Sequence, residues 1–576
     1  MQAPPPPTRR RGALARYAPF IAIALVIVLV AVFLGGRKSS KSGTNSTTGN
    51  GGTTPKSDLP ITYNEAKAAG TLAKHKWPTT CDPANGLVAI PILQAAPCVP
   101  AFTGNNGGSN GSPGVTDKTV TVAFYSPKPD PQTDALTRAV GAYDTPGQVI
   151  QNVKDFLEIF SKTHELYGRT VKLVILHGTG TATDATAARA DAIKAATELH
   201  AFAVLGGPSQ TNSFADELTN RGVMCIGTCL IAQPDSFYAS HPGLFGPEPL
   251  ASQPAAVTVE FIKKQLEGKN AVYAGDPTLR AEKRKFALLS YDTPDGQFKP
   301  IWDQFESQMT ADGMPLTTHV SYFLDLTKAQ ADARTDITKL KTSGATSVIF
   351  SGDPLMPGYF TAEATKQNYH PEWILSGTVF ADTDVFARSF DQSQWAHAFG
   401  IGIVGALSPE VQHDDYQLHE WWYGKPPPGT STTGIVEGDV DTLFTGIQLA
   451  GPHLTVANFS AGLQKPAVPP ESPGGLRPIF SFGKHGLWGP GIDYGGLDNL
   501  NLIWWDPNAV GPDETGTNGK GMYRYVDNGR RYLPGHWPTT PVKLFDPANT
   551  ITRFTSKPAE IKPKQYPTPA PSPEPS

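Results

Sequence analysis

The sequence predicts an α/β protein built on two largely parallel sheets, and three observations carry that prediction. Strand-like and helix-like segments alternate in order from 118 to 409, and strands separated by helices form parallel sheets with helices on their faces. The alternation holds about ten strands, which two twisted sheets accommodate better than one. The chain has 576 residues, enough for several cores.

The first strand follows Gly-Val-Thr-Asp at 114–117, where Thr119, Thr121 and Ala123 alternate with Val120, Val122 and Phe124. Val149, Val153, Phe156, Leu157 and Phe160 then recur at helical spacing, Gly168 stops the helix, and 171–176 is a strand. A helix over 186–199 leads to a strand at 201–205 that ends in Gly206-Gly207-Pro208; a short helix at 214–219 leads to a strand at 223–226. The rhythm resumes with helices at 254–266, 298–309, 328–340 and 359–367, set between strands at 286–291, 318–323, 347–350 and 373–375. After 405 it weakens. Helices are expected at 414–422 and 439–449, a Pro/Gly-rich insert at 466–497, a strand at 500–505, and a hairpin over 522–532 turning at Asp527-Asn528-Gly529. Residues 506–517 begin like a calcium loop but have Thr517 where a bidentate Glu is needed, and read as solvated loop. The alternating prolines of 557–576 form a tail not expected to fold.

Composition excludes some functions. A net charge of −4 carries no basic footprint for nucleic acid. Residues 18–34 are uncharged and apolar, at the lower limit for a spanning helix, with Arg9, Arg10, Arg11 and Arg16 before them and Arg37, Lys38 and Lys41 after. An uncleaved anchor is the first reading and a cleaved signal the second, since Phe33-Leu34-Gly35-Gly36 makes a poor small-x-small site. The expected placement is a single pass through the cell membrane with 1–17 cytoplasmic and the globular part outside. Residues 35–58 form a Gly/Ser/Thr/Asn tether with a span of roughly 25 Å.

Cys81 and Cys98 lie in an extension, 59–113, outside the anchor, where a disulfide persists and contributes about 3 kcal/mol by chain entropy. Cys225 and Cys229 are open between a bridge and two buried thiols. No zinc site is expected there, since C-x-x-x-C has no second ligand pair nearby. H-E-x-x-H, G-x-S-x-G and Walker A motifs are absent, and Gly178-Thr-Gly180 lacks the third glycine of a dinucleotide site. The expectation is a binding protein rather than an enzyme, with no cofactor and no metal.

The Gly-Val-Thr-Asp lead-in and the ordered series from 118 onward resemble the type I periplasmic solute-binding proteins of ABC importers, in the branched-chain amino-acid-binding branch. The resemblance covers roughly 118–532. It implies the type I fold: two three-layer α/β lobes joined by hinge crossovers, here behind an N-terminal transmembrane helix. Lobe one would take 114–256 with 403–465, and lobe two 257–402 with 498–533. A small polar ligand, an amino acid or amide, would sit between the lobes, and an ABC permease in the same membrane would be the partner. On that pattern Ser209 and Thr228 hold a ligand carboxylate and Tyr291 offers an aromatic face; Asp353, at the next strand end, is placed for a carboxylate to pair with a ligand ammonium, with Asp382 in reserve. Local readings stand beside these: capping for Ser209 and Thr228, strand-end packing for Tyr291, and a cap on the helix near Met356 for Asp353. The long loop 127–146 lacks the family's short Pro/Gly motif, and Asp353 stands where many members have an aromatic. A surface sensor or scaffold that keeps the fold without transport is the alternative function, and a hydrolase the third.

Overall fold

The computed structural model describes residues 59–568 except 131–133, 135–137, 139–142, 209–210, 228, 230–232, 294–295, 326 and 378–379. The expected anchor 18–34, its flanks, and the chain past 568 lie outside the described residues. Among those described, no helix is long and apolar enough to cross a membrane.

The extension opens on a short helix, Tyr63–Ala68, and continues into a two-stranded hairpin, β1 (Cys81–Asp82) and β2 (Leu87–Val88), tied down by the Cys81–Cys98 disulfide. It is part of the protein's core: Val88, Ile90, Ile92 and Ala96 pack in one cluster with Val120 and Val122 of the first strand.

The first sheet contains β3 (Thr119–Ser126), β4 (Thr170–His177), β5 (Ala203–Leu205), β6 (Met224–Ile226) and β7 (Leu244–Phe245), all parallel, in the order β4-β3-β5-β6-β7. The second contains β8 (Phe286–Tyr291), β9 (His319–Tyr322), β10 (Ser347–Ser351), β11 (Glu372–Ser376) and β12 (Ala398–Gly402), parallel in the order β9-β8-β10-β11-β12. It is extended antiparallel by β13 (Leu500–Pro512), β14 (Asn518–Val526), β15 (Arg531–Tyr532) and β16 (Thr550–Ile551). Every residue of β10, β11 and β12 is buried, as strands covered on both faces must be. Both parallel cores follow the same path, second strand, first, third, fourth, fifth, so each has its reversal point between its first and third strands.

Late segments return to the first sheet. The helix Pro146–Thr163, opened by a Thr145/Gln148 capping box, packs Val153, Phe156 and Phe160 against Leu443, Phe444 and Ile447 of the helix Thr433–Ala450. The chain therefore passes between sheets three times: before the helix Ser252–Phe261, after β12, and through the irregular stretch before β13. Ala255, Val257 and Phe261 already pack with the second sheet. The third passage leans on both sides, with Gly246 bridged to Gly495 and Gln253 donating to Asp493 Oδ1 (2.7 Å).

Three expectations are corrected. Residues 506–512 continue β13 instead of forming a solvated loop, with the β13–β14 turn capped by Asp513. The turn at Asp527-Asn528 does take positive φ, yet the following strand pairs across β13, Arg531 with Asn501, and not back on β14. The tail is laid on the surface as far as 568, where Glu560 accepts the N–H groups of Gly474 (3.1 Å) and Leu476 (2.9 Å). Charged anchors spaced among the prolines hold it without a ladder of backbone hydrogen bonds.

Candidate functional site

Open parallel sheets present ligands with free amides and loops at the carboxyl ends of their strands, beside the reversal point. In the first sheet that place is the loop after β5. Gly207 is pressed there: an added Cβ would lie 2.9 Å from Phe214 and 3.2 Å from the Cys229 carbonyl. Cys225 and Cys229 are joined as a disulfide, Cα to Cα 6.0 Å, and both sulfurs lie against the Gly206 carbonyl (3.8 and 3.6 Å). The bridge thus fixes the loop after β6, which carries Thr228, back onto its own strand, with its sulfurs against the start of the loop after β5, which carries Ser209. Those two residues lie outside the described ones.

From the same side, Asn212 reaches the other sheet. Its Nδ2 donates to Gln233 Oε1 (3.0 Å) within the first lobe and to Gln297 Oε1 (2.9 Å), in the loop after β8. The strand-end loops of the two sheets face each other and touch.

In the second sheet, Tyr291 ends β8 and Tyr322 ends β9. Their rings are 6.0 Å apart, with Phe298 and Phe323 at 5.6 and 6.2 Å from Tyr291. Asp353, two residues past β10, is partly buried. Its Oδ1 accepts the N–H groups of Leu355 (2.8 Å) and Met356 (3.0 Å), and its Oδ2 accepts the Tyr322 hydroxyl (2.7 Å), whose oxygen in turn accepts the Asp353 N–H (3.1 Å). Burial pushes the Asp353 carboxyl above the ordinary range against these donors, and pushes the Tyr322 phenol far up. Tyr291 and Asp353 are therefore brought together through Tyr322, and Asp353 also caps the helix Met356–Lys366.

Asp382 lies elsewhere. It is 1% exposed, and its Oδ2 accepts the N–H groups of Ile403 (2.5 Å) and Val404 (3.1 Å), which begin the second passage between sheets. Burial pushes its carboxyl up to about 6. Arg531 holds the same passage: Nη2 donates to the carbonyls of Ile403 (2.9 Å) and Asn499 (2.8 Å), and Nη1 to Asn501 Oδ1 (2.9 Å). Gly405, at φ +81°, is required here, since an added Cβ would meet Arg531 Nη1 at 2.4 Å.

Sequence reasoning passed over Tyr322, the Asn212–Gln297 pair and Phe380. Phe380 follows β11 and is 52% exposed beside buried Ala381 and Asp382; its φ of +60° is held by the Thr383 hydroxyl donating to the Phe380 carbonyl (2.7 Å). Tyr322 carried the same signal as Tyr291, an aromatic ending a strand; the other two carried none.

No protein-family model and no curated protein matches the chain. Solved structures similar to it include a solute-binding protein of an ABC transporter from Rhodopseudomonas palustris HaA2 in complex with p-hydroxybenzoic acid: 13% identity, TM-score 0.46, 73% of this chain and 99% of that one. One from Rhodopseudomonas palustris BisB5, in complex with 3,4-dihydroxybenzoic acid, overlaps at 12% and 0.45 over 72% and 99%. The branched-chain amino acid transporter substrate-binding protein LivJ of Streptococcus pneumoniae, in complex with isoleucine, overlaps at 12% and 0.42 over 71% and 100%. Overlap at this level carries no argument about this chain's ligand; its fold is read from its own strand order.

Proposed function

We propose that the chain is a membrane-tethered extracytoplasmic solute-binding protein of an ABC importer, which closes its two lobes over a small polar ligand of amino-acid or amide character. One observation carries the reading: two sheets of identical strand path meet at their carboxyl ends, with Asn212 and Gln297 in hydrogen-bond contact across the join. Tyr291, Tyr322 and Phe380 supply apolar faces around the ligand, Asp353 an acceptor for an ammonium, and the loops holding Ser209 and Thr228 the donors for a carboxylate. The apolar run 18–34 with its arginine flank is the anchor, the globular part lies outside the membrane, and the permease is the partner.

Equilibrium binding over a panel of amino acids, amides and small acids tests the reading, with X-ray scattering of the chain from residue 59 onward. Saturable binding with a fall in radius of gyration is expected. No ligand and no closure would refute it. A sensor or scaffold without transport is the second reading, and the Arg531 cluster that clamps the passages between lobes favours it; binding without any change in radius would select it.

A further inference from the structure

The helix Asp414–Tyr423 buries Leu418 and His419 and leaves Trp421, Trp422 and Tyr423 half-buried at its end. Across from it, in β1, stands Asp82, only 7% exposed. The chain's residues 562–568, Lys-Pro-Lys-Gln-Tyr-Pro-Thr, lie between them without helix or strand. The Trp421 indole N–H donates to the carbonyls of Tyr566 (3.1 Å) and Pro567 (3.0 Å). Asp82 Oδ2 accepts the Lys564 ammonium (2.5 Å) and the Tyr566 hydroxyl (2.9 Å), and Lys564 sits 5.3 Å from the Tyr566 ring centre. Pro563 is buried, whereas Gln565, Pro567 and Thr568 face solvent.

This is the chemistry of polyproline recognition. Proline fixes its own φ and holds the preceding residue in extended conformation, so Lys562 and Tyr566 enter pre-shaped. A strand of this kind makes no internal hydrogen bonds, and its carbonyls are free to accept from an indole N–H. Attachment here runs through side chains alone, with no backbone ladder, so the segment can leave without disturbing a sheet. Every anchor it uses is equally available to the same segment of another copy, and exchange of identical segments needs no new contact.

We propose that Asp82 and Trp421 form a recognition site for a proline-rich strand of pattern Pro-Lys-x-Tyr-Pro, occupied in the isolated chain by residues 563–567 and exchangeable with the same segment of a second copy. The cis segment prevails in dilute solution because its effective concentration is high.

A fluorescent peptide of residues 562–568 tests this on the full chain. A variant whose own tail carries Lys564→Ala and Tyr566→Ala is expected to bind the peptide saturably and more tightly than the wild type. Adding Asp82→Asn weakens that binding roughly tenfold, the scale of one charge-assisted hydrogen bond, and adding Trp421→Phe weakens it roughly fivefold, the scale of a neutral one. Failure of the tail variant to bind the peptide, or indifference to both added substitutions, overturns the proposal. The wild type gives a second measure: excess unlabelled peptide releases the chain's own tail, read as a fall in the heteronuclear NOE of the Lys564, Gln565 and Tyr566 amides. An unchanged NOE overturns the proposal equally.

Discussion

Asp353 has two jobs on one carboxylate, and substitution separates them. Oδ1 caps a helix and Oδ2 holds Tyr322, and the residue is partly buried. Asp353→Asn keeps an acceptor for the cap, so its urea midpoint should imply a loss under about 1 kcal/mol, whereas Asp353→Ala should lose about 1–2 kcal/mol. If the carboxylate also pairs with a ligand ammonium, Asp353→Asn weakens binding at least roughly tenfold despite its stability. Equal binding by Asp353→Asn and wild type would leave Asp353 a cap only. The sequence showed where Asp353 stands, at a strand end, but not which of the two jobs its oxygens do, because both need the same position. Asp382 was equally legible as a strand-end aspartate and proved to lie under the second passage between sheets, since only the fold reveals that the backbone at 403–404 passes over it.

At the level of elements, the helix Thr433–Ala450 depends on Gly446. The helix Val456–Leu463 crosses it so closely that a Cβ at 446 would lie 2.1 Å from the Phe459 ring, which is itself fixed between Phe245 and Phe202. Gly446→Ala gains about 1 kcal/mol in helix propensity and loses about 1–3 kcal/mol to overpacking, so a net loss is expected in urea unfolding. A gain in stability would mean that Phe459 can turn aside. Strands β8 to β11 were legible because buried β-branched and aromatic runs sit between amphipathic helices. The two-residue β7 was too short to carry a period, and β12, Ala-Phe-Gly-Ile-Gly, has two glycines that mask it. The antiparallel extension was read poorly because β14 pairs with β13 across the Asp513 turn and with β16, not with β15 across the Asp527 turn. The tail was misread since composition alone shows neither Asp82 nor Trp421.

Across the whole molecule, Asn212–Gln297 is a hydrogen bond made by strand-end loops on both sides. Gln297→Ala should widen the ligand-free chain, seen as a larger radius of gyration in scattering, while leaving the unfolding midpoint within about 1 kcal/mol. An unchanged radius would place the hinge, not this pair, in control. The buried carboxyls make a second prediction. Burial, reinforced by Asp498, pushes Asp493 up to about 9; burial pushes Asp441 up to about 7; and burial with Glu514's charge pushes Asp384 up to about 7, all from an ordinary value of 3.8. Between those values and 3.8 the folded chain holds protons that the unfolded chain has released, so stability falls as pH rises. Below about pH 6.5, buried His164, pushed down to about 3, opposes the trend. Urea midpoints should therefore rise from pH 9 to pH 7, by about 1 kcal/mol per pH unit for each proton retained. Asp493→Asn should flatten the upper part of that rise, because its amide keeps the hydrogen bonds from Gln253 and Gly495 without a charge to bury. A midpoint that does not rise from pH 9 to pH 7 would mean that these carboxylates are charged in the folded chain and are solvated within it.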